Sequence, residues 1–144
     1  MRYKRDDKVY VWCFSLETGK LIYDSYTIGY YEYMDGPQWN IVDEYILTKS
    51  YTKTKWGFIK STDTITIRRP GHIISHDITL AKLSFLYHFL DLYNFKPNVH
   101  SDEMIKMIEI AKEEYNYYMI NFPELIIKAS KPKITENNNI SYCN

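Results

Sequence analysis

Two histidines and an aspartate stand together in a short segment, Pro70–Asp77, just before a predicted helix. His72, His76 and Asp77 could ligate a metal, or His76 could act as acid or base on a phosphate at the helix end. A His-x₃-His spacing outside a helix fixes no geometry, and no cysteine pair or His-Glu-x-x-His accompanies it. We therefore expect Asp77 to cap the helix, the histidines to be exposed loop residues, and neither metal nor cofactor to bind. A small metal-dependent hydrolase or nuclease is the third functional hypothesis.

A basic aromatic stretch lies between Thr48 and Arg69, where six cations face a single acid, Asp63, and aromatic side chains are interleaved. Single-stranded nucleic acid is bound by this combination, because cations attract phosphates and ring faces stack on bases. The nucleic-acid-binding candidates are Lys49, Tyr51, Lys53, Lys55, Arg68 and Arg69. In a strand Lys49, Tyr51 and Lys53 would share one face. The alternative is a solvated edge strand whose lysines prevent edge-to-edge pairing, with Trp56 and Phe58 in the core.

A tyrosine-rich acidic segment precedes this stretch: residues 17–48 contain six acidic residues and one lysine. Tyrosine suits protein recognition, since it offers a large contact area and a hydrogen-bonding tip. The protein-interface candidates are Tyr26, Tyr30, Tyr31 and Tyr33. The alternative is a β-meander whose tyrosines half-bury their rings. The charge separation between the two segments could also bring copies of the chain together as a homo-oligomer.

The amino-acid composition argues against some classes of function but does not identify the function. Tyrosine supplies 15 of 144 residues, a bias that A/T-rich codons explain and that weakens each aromatic as evidence for a site. The 18 basic residues balance 18 acidic ones, so net charge indicates neither a strongly basic nucleic-acid binder nor an acidic mimic. No phosphate-binding, nucleophile-elbow or Cys-x-x-Cys motif is present.

The leading hypothesis is a non-enzymatic protein that binds another macromolecule, with a protein partner favoured and nucleic acid as the alternative. Compact, motif-poor chains with this bias are often phage, viral or mobile-element proteins that inhibit a host factor. No stretch is apolar enough to span a membrane, and we expect no membrane partner. Two cysteines give no disulfide framework, which favours the cytoplasm, of the host if the protein is viral.

Hydrophobic periodicity divides the chain into a β-like half, residues 8–70, and a helical half, residues 77–122. Strands are predicted at Val9–Phe14, Leu21–Ile28, Ile41–Leu47, Trp56–Lys60 and Thr64–Arg69, the last two joined by a loop at 61–63. The first helix, capped by Asp77, is apolar on most sides and should be central, with His88 as a core histidine. The second helix begins after Ser101 and has one apolar stripe.

The expected fold class is α+β, with an antiparallel sheet from the N-terminal half packed by two helices from the C-terminal half. Residues 1–129 should form one domain. Pro123 should end the second helix, and the segment Leu125–Ile127 is either a last strand or a docked turn. From Ser130 the chain is rich in Lys, Pro, Thr and Asn, so residues 130–144 are expected to be a flexible tail.

Overall fold

The computed structural model of the chain describes residues 3–35, 41–94 and 101–129. It has an α+β fold, as predicted: a four-stranded antiparallel sheet from the N-terminal half and two long helices from the C-terminal half. The strands, in their order across the sheet, are β1 (Lys8–Phe14), β2 (Leu21–Asp35), β3 (Ile41–Lys55) and β4 (Ile59–Pro70). The helices are α1 (Ile78–Asn94), α2 (Asp102–Asn121) and the short α3 (Pro123–Lys128). The predicted tail, 130–144, lies outside the described residues.

The described chain divides into two compact units. The sheet unit contains residues 3–9, 25–35 and 41–71, and the helical unit contains residues 10–24, 72–94 and 101–129. That residues 1–129 form one domain stays a prediction.

The core of the sheet unit forms where β2 crosses β3. Ile28 and Leu47 are fully buried and stand opposite each other, because β-branched and leucine side chains fill the inner face of a pleated pair. A register shift between Ile28 and Tyr30 brings Tyr31 opposite Tyr45, whose rings lie 5.0 Å apart. Gly29 sits in this shift. A β-carbon there would lie 3.1 Å from a backbone oxygen of β3, so the close strand approach favours glycine.

The turn between β3 and β4 corrects the sequence prediction. The predicted loop at 61–63 is wrong: these residues belong to β4 and pair with 51–53 of β3. The chain turns instead at Trp56 and Gly57, whose φ angles are 53° and 78°, and the Phe58 amide donates to the Lys55 carbonyl at 3.3 Å. Two successive positive φ angles match the twist of a hairpin, and glycine takes such an angle without strain.

The helical unit is built around α1. The indole of Trp12 donates to the Ile78 carbonyl at 2.8 Å, which fixes the start of the helix against the last part of β1. Phe14 packs on Phe89 with ring centroids 4.9 Å apart. Leu83 is fully buried. The expectation that α1 is central to a core is thereby confirmed for this unit.

Local side-chain caps start both long helices where the sequence predicted. An Asp77 carboxylate oxygen accepts from the Leu80 amide at 2.9 Å, and the Ser101 hydroxyl accepts from the Met104 amide at 3.3 Å. Residues 125–127 lie in the short helix α3 rather than a strand, because Pro123 is preorganised for a first helical turn. No helix within the described ranges is long and apolar enough to cross a bilayer.

Candidate functional site

The β3–β4 hairpin continues past the last residue pair that β2 makes with β3. That pair is Thr27 with Thr48, and the Thr27 hydroxyl bonds to the Thr48 carbonyl oxygen at 3.1 Å. From Lys49 onward, within the described residues, β3 pairs with β4 alone, up to Lys55 opposite Ile59. We call residues 49–65 the hairpin arm. Most of its side chains are exposed, so the arm contributes little to the core.

One face of the arm carries most of the predicted nucleic-acid-binding residues. The register places Lys49, Tyr51, Lys53 and Lys55 on alternate positions of β3, so they project to the same side. Arg69 lies opposite Tyr45 and belongs to this same side of the pair. We call the row formed by Lys49, Tyr51, Lys53 and Lys55 the cationic face.

Arg68 departs from the predicted set. It lies opposite Ile46, one residue out of step with Arg69, and therefore projects to the other side of the sheet. Its carbonyl oxygen accepts a 2.7 Å hydrogen bond from the Arg69 guanidinium. The structure thus brings five of the six candidates to one side and separates the sixth.

An ion pair lies on the cationic face. The Lys53 ammonium lies 2.9 Å from an Asp63 carboxylate oxygen and 5.4 Å from the centre of the Tyr51 ring. The hydrogen bond to Asp63, followed by that to Tyr51, raises the pKa of Lys53 above its ordinary value, so the lysine is charged at neutral pH. The side chains are 53% and 46% exposed, so water and ligands reach both.

The tip of the arm presents two aromatic side chains to solvent. Trp56 is 81% exposed and Phe58 is 76% exposed, so the expectation that they would lie in the core is wrong. They flank Gly57 in the turn, beyond the last β3–β4 pair, where the described residues offer no strand face to cover them. A positive φ is uncommon for a residue as bulky as tryptophan, and such conformations cluster at functional loops.

The opposite face of the arm is lined by hydroxyl groups, a feature that the sequence reasoning missed. Ser50 and Thr64 face each other with their oxygens 3.2 Å apart, and Thr27 and Thr48 are 3.1 Å apart at the base. We call this side the hydroxyl face. It also carries Lys60, opposite Thr54, and it continues past the arm to the pair of Thr48 and Thr66; its hydroxyl residues within the arm are Ser50, Thr52, Thr54, Thr62 and Thr64. Their alternation with other residues over 48–54 and 62–66 was the available signal.

The four predicted interface tyrosines have different surroundings. Tyr30 is 53% exposed, whereas Tyr26 is half-buried and Tyr31 packs against the buried Tyr45. The backbone of Tyr33 pairs with β3, and its side chain lies outside the described part. Tyr30 lies opposite Ile46 and Tyr31 opposite Tyr45, so these two neighbours project to opposite sides of the sheet and do not form one broad tyrosine surface.

The histidine segment is arranged differently from a three-ligand metal site. His72 lies in a 3₁₀ turn and its ring centre is 4.2 Å from that of His88, while His76 is exposed and Asp77 caps α1. The prediction that His72 is an exposed loop residue is therefore wrong, and that of His88 as a core residue is confirmed. In the ranges that the structure describes, no group of three or more His, Cys, Asp or Glu could hold a metal.

Burial decides the protonation state of His88. Burial first, and the nearby His72 second, lower the pKa of His88 from 6.5 to about 3. The imidazole is consequently neutral at neutral pH. Because the folded chain keeps this imidazole neutral, acid should destabilise the helical unit. The sequence alone did not indicate this pH dependence.

The helical unit also has a cleft of about 430 Å³ that is lined by residues of α1 and α2. Burial, and then Tyr87, raise the pKa of Tyr115, so its phenol is protonated at neutral pH. The residues that line the cleft are Leu90, Lys112, Glu113, Tyr115, Asn116 and Met119. They can make apolar and polar contacts, but they form no nucleophile–base pair.

Comparison with known proteins gives no match to a family model, to a curated protein or to a solved structure. The hairpin arm is the part in which exposure, charge and aromatic side chains coincide.

Proposed function

We propose that the protein is a non-enzymatic binding protein and that its hairpin arm binds single-stranded nucleic acid. The observation that carries the proposal is the row of lysines on one face of an exposed β-ribbon that ends in Trp56 and Phe58. Grooves and surfaces for single strands combine cations that follow the backbone with rings on which bases stack. Both components are present within one hairpin.

The cations are spaced to follow a chain of phosphates. Alternate residues of a strand are about 7 Å apart, so Lys49, Lys53 and Lys55 make an extended row instead of a point charge. Asp63 neutralises part of this row through Lys53, and Lys60 adds a charge near the tip from the hydroxyl face. Binding is then driven largely by the release of counterions from the nucleic acid.

The rings at the tip supply the second component. An exposed indole or phenyl face gains about 1–3 kcal/mol for each base that stacks on it, whatever the base. Most of the surface of Trp56 and Phe58 is not used in packing, because more than three quarters of each residue is exposed. We expect bases at the tip and the sugar–phosphate backbone along the cationic face.

The test is a titration of a short fluorescent oligonucleotide of mixed sequence with the full-length protein, repeated over a series of salt concentrations. The unmodified protein should bind with an affinity that falls steeply as salt rises. The variant K53E/K55E should lose binding. K106E/K112E, which makes the same charge change at exposed positions of α2, should retain it. Equal binding by both variants, or binding that ignores salt, would refute the proposal.

A protein partner is the second candidate, and Tyr30, exposed on β2, is what favours it. Such a partner, a host factor if the source is a phage or virus, would recognise a few aromatic anchors. We propose the cytoplasm as the compartment, because the two cysteines suggest no disulfide framework. In this case the unmodified protein would capture a protein partner from a nuclease-treated lysate of the native cell. Y30A would lose this capture, and K53E/K55E would keep it.

A further inference from the structure

The outer edge of β4 is available for pairing in the part of the chain that the structure describes. β4 is the last strand of the sheet and runs without a register shift along β3 from Ile59 to Pro70. A long, regular edge strand offers a row of backbone donors and acceptors to another strand. Its centre, Ser61–Ile67, has one charged residue, Asp63, so the usual protection by lysines is absent there.

We propose that β4 pairs antiparallel with β4 of a second copy of this chain, with Thr66 on the two-fold axis. Two identical strands can pair around an axis perpendicular to the sheet, and each register is defined by the residue that meets its own copy. The paired segment would run from Thr62 to Pro70. The sequence of β4 decides among the registers.

Three neighbouring registers are unfavourable because of the side chains that they bring together. An axis at Asp63 places two carboxylates opposite each other, and an axis at Thr64 places Lys60 opposite Arg68. An axis at Ile65 places the carboxylate opposite an isoleucine. Like charges directly opposite each other destabilise a strand pair, and a carboxylate gains nothing from an apolar neighbour.

The axis at Thr66 gives complementary pairs. It places Asp63 opposite Arg69 of the second copy and Ile65 opposite Ile67, and the symmetry makes each pair twice. Opposite charges and β-branched pairs both stabilise neighbouring strands. The Asp63 side chain is partly exposed beside Lys53, so its carboxylate can accept a second cation.

The two-fold axis also preserves the faces of the sheet. The cationic faces of both copies would lie on the same side and form one continuous surface. From Thr66 to Gly57 is about 30 Å along the strand, so the two aromatic tips would be about 60 Å apart. The dimer does not depend on the proposed function, because the interface uses backbone groups and β4 side chains alone.

A cysteine cross-link tests the register. In a background where Cys13 and Cys143 are serine, the variant T66C should form a disulfide-linked dimer on mild oxidation. Residues directly opposite in an antiparallel pair have α-carbons about 4.5–5.5 Å apart, which a disulfide can span. The matched control is T64C, on the same face and also exposed. Its two copies would be about 13 Å apart along the strands, so it should stay unlinked.

A charge exchange tests the pairing itself, with mass measured by light scattering after size exclusion. The unmodified protein should have twice the 17.3 kDa of one chain. D63R and R69D should each shift it to the mass of one chain, and D63R/R69D, which restores both pairs in exchanged order, should recover the dimer. A monomer at every concentration would overturn the proposal, as would equal cross-linking of T64C and T66C. Oligonucleotide binding is measured on the unmodified protein and on K53E/K55E, so the dimer and the proposed function can fail independently.

Discussion

The same pair of interactions, a lysine bound to a carboxylate and placed over aromatic rings, occurs in both units of the molecule. In the helical unit the Lys82 ammonium lies 2.9 Å from Glu114 and 5.2 and 5.3 Å from the Trp12 and Tyr118 rings. In the hairpin arm the Lys53 ammonium lies 2.9 Å from Asp63 and 5.4 Å from the centre of the Tyr51 ring. The difference is exposure, since the Lys82 side chain is only 15% exposed.

This difference separates a structural use of the interaction from the binding use that we propose for the arm. A cation over a ring contributes about 2 kcal/mol or more when water is excluded and about 0.5–1 kcal/mol at an exposed site. Lys82 therefore holds β1 and α2 to α1, whereas the rings and cations of the arm contribute little to folding and can be used by a ligand.

Acid should affect the helical unit most strongly. The unfolded chain protonates His88 near pH 6.5 and the folded chain only near pH 3, so the unfolded state binds more protons between these values. The stability contribution is complete above pH 6.5 and is lost as pH falls, by up to about 1.4 kcal/mol for each pH unit. Denaturant unfolding measured from pH 7 to pH 4 should show this slope. H88Q, which cannot titrate, should flatten it; an unchanged slope would contradict the assignment.

Removing Lys82, whose side chain is 15% exposed, should have the second largest effect on stability. K82A leaves a gap between two rings and removes the partner of Glu114, so we expect a loss of about 2 kcal/mol. The matched control is K112A, at an exposed position of the same unit, which should change the unfolding free energy by less than about 0.5 kcal/mol. Equal losses in chemical unfolding would remove the distinction between the two uses.

A substitution at the tip of the arm should raise the stability of the protein instead of lowering it. W56G replaces a bulky residue at positive φ by one that adopts this conformation without strain, so we expect the protein to gain about 1 kcal/mol. The same change removes a stacking surface, so oligonucleotide affinity should fall. A calorimetric melt and a binding titration on one sample would test both. A less stable variant would mean that Trp56 contributes to folding.

The smallest effect on stability should come from the exposed lysine. K53A removes the ion pair with Asp63, but both side chains are in water, so the thermal midpoint should not change measurably. Oligonucleotide binding should weaken and lose part of its salt dependence. A clear drop in the midpoint would show that the arm's ion pair also stabilises the fold.

The sequence predicted those features that depend on local chemistry. Asp77 and Ser101 act as caps because a side chain bonds to the turn that follows it, and the alternation of Lys49, Tyr51 and Lys53 follows from the pleat of a strand. The hairpin turn was missed because polar residues at 61–63 resemble a loop. In an arm with no buried face they are ordinary strand residues, and Gly57 was the better signal.

Contacts distant in sequence could not be predicted in the same way. His72 meets His88 only because the turn after β4 and the third turn of α1 come together in the fold. The register shift at Gly29, which places Tyr31 in a cluster and Tyr30 at the surface, is likewise set by packing against β3. A single sequence carries little signal for either arrangement.

The sparse burial of the hairpin arm has an evolutionary consequence. Core positions such as Leu47 or Leu83 tolerate few substitutions, because a change in volume leaves a cavity or forces strain. Substitutions at the tip and along the two faces of the arm meet no such penalty. Selection on the proposed binding could therefore act there almost independently of selection on folding, and the arm could diverge in specificity while buried positions of the described chain are kept by their packing.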